Sequence, residues 1–239
     1  FGVGFVLGPY LGGRLASPNI PFINAFGHQL LKTPSWFSAQ TPFWFAAIIA
    51  LIDVMLILFL LPETNDKQSK KGSLHPAQAF HNIAKAFKLP DIRPLFGTSF
   101  LYTGGFTFFT TFFGINLAKR LNFAPSNIAD FFSYIGVWIA VMQAVIVPTL
   151  AKRFSSFQVV KFSLFGMSLA VLSMFIPKNT EQLLLIAPLI PMFVAPVMAN
   201  LVALISAIAG PERQGEVMGI NSSVEALAQG IPAILSGYV

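Results

Sequence analysis

Three polar residues near the end of the chain have types and spacing that suit cation binding or proton transfer. Asn221, Glu225 and Gln229 occur at i, i+4 and i+8, so on a helix they lie along one face. A carboxylate between two amides can take up a proton or bind a cationic substrate. The same face can instead form a hydrogen-bonded cluster that holds helices together, and both interpretations stay open.

An aromatic row is the second pattern with possible chemistry. Tyr102, Phe106, Phe109 and Phe113 recur at i, i+4, i+7 and i+11, which is typical of helix packing or of contact with lipid. If the row faces a cavity, it suits a flat, apolar cation through stacking and cation–π contact. Further candidates for the same substrate pathway are Tyr134, Trp138, Gln143 and Asn200.

Several kinds of chemistry are disfavoured. The chain has no cysteine, and its three histidines, His28, His75 and His81, are scattered, so we expect no metal site and no disulfide. No nucleophile triad, phosphate-binding Gly-Lys-Ser/Thr loop or paired-carboxylate site is present. We therefore expect neither an enzyme nor a bound cofactor.

The composition places these residues in membrane-spanning helices. Of 239 residues, 55% are hydrophobic and 10% charged, whereas soluble domains carry roughly 25% charged residues. The apolar residues fall in blocks of about 18 to 25, long enough to cross a bilayer core of roughly 30 Å. The net charge of +6 comes from cations in loops between these blocks, so we expect no nucleic-acid partner.

Seven apolar segments are predicted, and the first is short because the chain begins inside it. Asp53 lies in the middle of the second segment without a polar neighbour at helical spacing. We favour a structural hydrogen bond to an adjacent helix over a proton relay there. The sixth segment contains three prolines, which kink or break helices. The segments are Phe1–Leu15, Phe43–Leu61, Leu95–Leu117, Ile128–Leu150, Val159–Ile176, Leu183–Ala209 and Val217–Val239.

The loop charges predict the orientation. Lys and Arg residues concentrate on the side that holds the stretch 62–94, whereas the opposite side carries Arg14, Lys32, Lys119, Arg120 and Lys178. The richer side is expected to be cytoplasmic. Within that stretch, Pro76–Leu89 has the spacing of an interfacial amphipathic helix, although a solvated linker explains the charges as well. The opposite loop, Ala16–Thr41, is expected to be irregular.

A glycine string marks the first segment. Gly4, Gly8 and Gly12 recur every four residues, with Pro9 and Gly13 beside them. Small residues at this spacing let a neighbouring helix backbone approach closely. Tight packing explains any single glycine of the string.

The combined string Gly4-x3-Gly8-Pro9-x2-Gly12-Gly13 resembles the antiporter motif in the fifth span of drug exporters of the major facilitator superfamily. Leu61-Pro62-Glu63-Thr64 resembles the close of the sixth span, and Pro211–Gly219 the loop before the eleventh. The resemblance implies an all-α membrane protein with a partial major facilitator fold, about seven of twelve transmembrane helices. It implies that the antiporter glycines limit leakage through helix packing.

The division expected from this resemblance is two bundles and a linker. Residues 1–61 would end the N-terminal bundle, 62–94 would form a cytoplasmic central loop, and 95–239 would form a truncated C-terminal bundle. The implied function is proton-coupled export of drugs or other small amphipathic molecules by alternating access. The alternative is a proton symporter that imports a sugar, organic acid or other metabolite. The expected partners are a small-molecule substrate, protons and the lipid bilayer, for a monomer in a bacterial inner membrane.

Overall fold

The computed structural model describes residues 2–23, 29–61, 92–210 and 213–236. Most of these residues are helical, which confirms the predicted all-α fold class. Each predicted apolar segment coincides with one helix, except the sixth, which forms two. The helices are α1 (Gly2–Leu15), α2 (Thr41–Leu60), α3 (Arg93–Leu121), α4 (Pro125–Ala151), α5 (Ser156–Ser173), α6 (Thr180–Ile186), α7 (Leu189–Ala209) and α8 (Gln214–Ser236).

Length and composition mark candidate membrane spans among these helices. Thr41–Leu60, Pro125–Ala151, Ser156–Ser173 and the combined Thr180–Ala209 are long and apolar enough to cross a bilayer. The α2 helix has no buried residue, and large apolar side chains such as Leu58 and Phe59 are more than two-thirds exposed. A surface this apolar is stable in contact with lipid and unfavourable in water. The chain is therefore part of an integral membrane protein.

Local sequence signals explain where several helices begin and end. At the start of α5, Ser155 Oγ accepts a hydrogen bond from the Gln158 amide, and Gln158 Oε1 accepts one from the Ser155 amide. This reciprocal pair is a capping box. Asn179 Oδ1 caps α6 by accepting from the Gln182 amide. The α3 helix ends where Asn122 adopts a left-handed conformation with φ of 54°.

The prolines of the sixth segment break it, as predicted. The helix stops at Ile186 and resumes at Leu189, with Pro188 between them. Proline has no amide hydrogen and clashes with the preceding turn. Pro196, in contrast, lies inside α7.

The loop that follows α1 differs from the irregular loop that the sequence predicts. Ala16–Thr41 is not wholly irregular, because Pro21–Ile23 (β1) and Gln29–Lys32 (β2) pair as antiparallel strands. The threonine after β2 fixes the base of this pair, since Thr33 Oγ1 donates to the Ser17 carbonyl and accepts from the Ile20 amide. Short strands without strict alternation give little sequence signal.

The α4 helix lies at the centre of the packing. It contacts α1 on one side and α7 on the other, while α7 also packs against α5, and α3 packs against α8. One buried cluster joins α3, α4, α5 and the α6–α7 break through residues such as Phe113, Ile139 and Ile190. A second cluster joins α3, α5, α7 and α8 through residues such as Phe96, Ile205 and Ile220.

Helices α1 and α4 approach each other closely along one seam. A Cβ atom on Gly136 would lie 2.7 Å from the backbone of Phe5, and one on Gly13 would overlap the side chain of Ala129. At Gly4, Gly8 and Gly12 an added Cβ would meet nothing within 4 Å. Successive helical residues turn by about 100°, which places these three glycines on a different face from Gly13. Of the predicted string, Gly13 is the glycine in tight contact, and packing by the other three stays a prediction.

An ion pair closes one end of this seam. Arg14 Nη1 lies 2.6 Å from Asp130 Oδ1 at the start of α4, and the guanidinium carbon lies 3.7 Å from the centre of the Tyr10 ring. Arg14, which the charge pattern places among the loop cations, lies in the last turn of α1 and is 4% exposed. Asp130 remains about half exposed, at 47% of its side chain. The pair therefore joins a desolvated cation to a partly solvated carboxylate.

The predicted amphipathic helix Pro76–Leu89 lies outside the described residues, as does most of the central loop 62–94. The division into residues 1–61, 62–94 and 95–239 stays a prediction. If it holds, the α1–α4 seam is a contact between the two bundles.

Gly136→Ala should destabilise the complete gene product that carries this sequence. The new Cβ has no space against the Phe5 backbone, and overpacking typically costs about 1–3 kcal/mol. Gly219→Ala is the matched control, because a Cβ there meets open space. Unfolding of purified protein in detergent measures both. Equal stability of the two variants would show that the seam is looser than described.

Asp130→Ala should also destabilise the protein, because it leaves Arg14 buried without its carboxylate. We expect a loss of about 1–2 kcal/mol, below the 3–5 kcal/mol of a fully buried pair, since Asp130 is partly solvated. Arg213→Ala serves as control, because the Arg213–Glu216 pair is exposed and such pairs contribute less than about 1 kcal/mol. The same unfolding assay compares the two variants. Equal losses of stability would contradict a stabilising role for the Arg14–Asp130 pair.

Candidate functional site

A cavity of about 410 Å³ lies between α3, α7 and α8, and Phe5 of α1 contributes to its wall. We call it the central cavity. Its walls are mostly apolar, and Glu225 is the one charged side chain among the described residues that line it. The lining residues are Phe5, Tyr102, Thr103, Phe106, Thr107, Thr110, Met198, Leu201, Val202, Glu225 and Gln229.

The α3 wall combines aromatic rings with threonines. Tyr102 and Phe106 are nearly parallel, with ring centres 6.3 Å apart and 5° between their planes. Thr107 Oγ1 donates to the Thr103 carbonyl at 2.8 Å, so this hydroxyl is satisfied within its own helix. The predicted aromatic row divides, because Phe109 and Phe113 are buried in the core while the first two rings reach the cavity.

Glu225 is held at the cavity wall by two donors. Asn221 Nδ2 donates to Glu225 Oε1 at 2.8 Å, and Ser99 Oγ donates to the same oxygen at 3.2 Å. The first bond is within α8, whereas the second joins α8 to α3. The geometry is compatible with both interpretations of the polar face. Glu225 connects two helices, as a structural cluster would. It also borders a cavity together with Gln229, as a cation-binding or proton-binding face would.

Two polar atoms near this cluster are buried without a partner among the described residues. They are the Tyr102 hydroxyl and Asn221 Oδ1. Most buried polar groups in proteins are hydrogen-bonded, and an unpaired one costs about 1–3 kcal/mol. Tyr102 also lines the central cavity, so a buried and unpaired hydroxyl belongs to a residue of its wall.

The other predicted pathway residues lie apart from the central cavity. Asn200 is buried, and its Nδ2 donates to the Pro196 carbonyl of its own helix. Tyr134 donates to the Leu184 carbonyl at 3.1 Å and its ring meets Trp138 edge-on. Gln143 lies further along α4. These contacts are structural, and a role in the pathway stays a prediction for each residue.

Asp53 is on the exposed α2 helix. No hydrogen bond or ion pair joins it to another residue in the described part of the chain. The hydrogen bond to an adjacent helix that its sequence context suggests stays a prediction. Among the described residues, no three His, Asp or Glu side chains are placed to hold a metal ion.

Sequence reasoning missed several residues of the site. Ser99 was not singled out, although it binds Glu225 from 126 positions away in the chain. Met198, Leu201 and Val202 of α7 were likewise missed. A single serine or valine in an apolar helix carries no signal of which face it occupies. The spacing of Ser99 three positions before Tyr102 was the only available indication that the two share a face.

The family model described as Major Facilitator Superfamily matches residues 1–233. The chain belongs to this superfamily. The resemblance based on the glycine string and the loop sequences is thereby confirmed. Membership in a transporter superfamily also points away from an enzyme.

Individual relatives are distant and longer. Quinolone resistance protein NorA of Staphylococcus aureus (strain COL) is 22% identical over 98% of this chain and 54% of its own length. Multidrug resistance protein 2 of Bacillus subtilis is 24% identical over 99% of this chain and 54% of its own length. Major facilitator-type transporter psiT2 of Psilocybe cyanescens is 24% identical over 70% of this chain and 40% of its own length. This chain thus spans about half the length of the bacterial relatives it matches.

Glu225→Gln and Glu225→Leu should separate the structural role of this side chain from its charge. Glutamine keeps an oxygen that accepts from Asn221 and Ser99, so we expect stability within about 0.5 kcal/mol of the wild type. Leucine leaves both donors unpaired, which should cost about 1–3 kcal/mol. Unfolding of the complete gene product in detergent measures the difference. Equal stability of the two variants would contradict a structural role for the Glu225 hydrogen bonds.

Proposed function

We propose that this chain is part of a secondary active transporter that exports cationic amphipathic molecules, including drugs, in exchange for protons. The observation that carries the proposal is the central cavity, which is mostly apolar and has one carboxylate, Glu225, on its wall. The names of the two bacterial relatives, which refer to quinolone and multidrug resistance, also support drug export. The bilayer and a small-molecule substrate are the partners that this function requires.

Cavity size and chemistry support an amphipathic ligand. A volume of about 410 Å³ is in the range of roughly 300–1,000 Å³ that small-molecule sites occupy. Phe5, Phe106 and Met198 offer apolar surface, and the parallel rings of Tyr102 and Phe106 offer aromatic faces. A cation over such a face gains about 0.5–2 kcal/mol. The Glu225 carboxylate then favours positive charge on the ligand.

Competition between a proton and a cationic substrate for the Glu225 carboxylate would couple their exchange. Glu225 attracts a cationic substrate only while it is ionised, and a proton on the same carboxylate removes that attraction. Proton uptake from one side of the membrane would therefore favour release of the substrate. Rocking of two bundles around the cavity would expose it to each side in turn, with the α1–α4 seam as one of the contacts that must change.

The remaining parts of the proposal concern location and assembly. We propose a monomer in a bacterial inner membrane, with the loop 62–94 on the cytoplasmic side. The bacterial relatives support the location, and the excess of loop cations supports the orientation.

Efflux of ethidium from cells tests the proposed function. The complete gene product should lower the accumulation of the dye, and a protonophore that collapses the gradient should abolish this effect. Glu225→Gln should reduce the efflux rate at least tenfold at equal membrane expression, because it removes the charge and keeps the hydrogen-bond acceptor. Ser222→Ala is the control, since Ser222 is exposed and its one hydrogen bond among the described residues goes to the Met218 carbonyl of its own helix.

Two outcomes would contradict the proposal. Undiminished efflux by Glu225→Gln would exclude the carboxylate as the determinant of cation transport. Normal expression without efflux of any cationic dye would favour instead a symporter that imports a metabolite.

A further inference from the structure

The wall of the central cavity offers a ligand more hydrogen-bond acceptors than donors. An ionised Glu225 carboxylate only accepts. No lysine, arginine, histidine or tryptophan is among the described residues that line the cavity. The Tyr102 hydroxyl is a donor, but it is buried and so is not exposed to the open space. Thr103 and Gln229 can either donate or accept.

Two further threonines of the wall have their donor hydrogens engaged. Thr107 Oγ1 donates to the Thr103 carbonyl at 2.8 Å, and Thr110 Oγ1 donates to the Thr107 carbonyl at 3.1 Å. A hydroxyl has one donor hydrogen and two acceptor lone pairs, so each oxygen keeps acceptor capacity after this bond. Both residues line the cavity and are partly exposed. These two hydroxyls therefore meet a ligand as acceptors.

The threonine acceptors continue the polar face that begins at Ser99. Three threonines follow Ser99 at i+4, i+8 and i+11, so all four residues share one side of α3. Ser99 binds Glu225. A rise of about 1.5 Å per residue places Thr107 and Thr110 roughly 12 and 17 Å further along the helix. The cavity therefore has its carboxylate toward one end and neutral acceptors toward the other.

Such a wall discriminates between cations of equal charge and similar shape. A ligand that fills the cavity displaces water from the threonine oxygens, and these oxygens stay unpaired unless the ligand carries a donor. Sites with hydrogen-bonding groups reject an analogue that lacks the matching group far more strongly than apolar sites reject a small change of size. A ligand with N–H or O–H groups replaces the lost water bonds.

We propose that the central cavity selects cations that also carry N–H or O–H donors, and that Thr107 and Thr110 are the acceptors that recognise those donors. The inference rests on the proposed function, because the Glu225 carboxylate binds the positive charge of the same ligand. The ligand class is an aromatic cation with amino or hydroxyl groups at its periphery, away from the charge. A cation without such donors binds through charge and stacking alone, and more weakly.

Ethidium and its analogue without the two amino groups test this selection, because the two dyes share a ring system and a permanent charge. Equilibrium Kd values are measured with the purified complete gene product in detergent. The wild type should bind ethidium at least fivefold more tightly than the analogue. In a double variant with Thr107→Val and Thr110→Val this preference should fall below twofold, since valine keeps the branched shape of threonine and lacks its hydroxyl.

Thr98→Val is the matched control. Thr98 lies on the same helix and donates to the Pro94 carbonyl in the same way, but it is not among the residues that line the central cavity. This variant should keep the wild-type preference for ethidium. Tetraphenylphosphonium has no donor, so the wild type and the double valine variant should bind it with Kd values within twofold of each other.

The outcomes separate the selection from the proposed function. Equal wild-type affinities for ethidium and its analogue, or an undiminished preference in the double valine variant, would overturn the selection and leave the proposed function standing. An equal loss of affinity for all three cations in that variant would also overturn it, because the cavity shape would then explain the effect. Binding of none of these cations by the wild type would overturn the proposed function and the selection with it.

Discussion

The cost of placing a carboxylate among apolar helices is the constraint on which the site depends. A charged side chain near the bilayer centre costs at least about 2.5–3.5 kcal/mol unless it has partners or water. Glu225 obtains partners from Asn221 on its own helix and from Ser99 on α3. The Ser99 bond joins α8 to α3, beside a cavity bordered by Tyr102, Phe106 and Glu225. Glu225 therefore connects two helices and also borders the cavity.

A second close contact lies at the α1–α4 seam. Gly13 and Gly136 remove side chains where the two helices are closest, and the Arg14–Asp130 pair closes the end of the contact. Phe5 of α1 also packs against the buried cluster around Ile139 and Ile190. The seam therefore combines a close backbone approach, apolar packing and one ion pair.

The sequence predicted the helices well because apolar runs of this length and the proline break at Pro188 are strong local signals. It predicted Glu225, Asn221 and Gln229 as one polar face because their spacing is helical. It did not predict Ser99, nor that Phe109 and Phe113 turn into the core while Tyr102 and Phe106 reach the cavity. Those facts depend on how α3 is rotated against α8, and rotation is set by contacts between residues more than 100 positions apart. The Arg14–Asp130 pair was missed for the same reason.

Equilibrium binding of tetraphenylphosphonium to the purified complete gene product tests the central claim most directly. If the Glu225 carboxylate recognises the cation, Glu225→Gln should bind at least tenfold more weakly than the wild type, about 1.4 kcal/mol. Equal affinities of the two proteins would contradict the assignment of cation recognition to this residue.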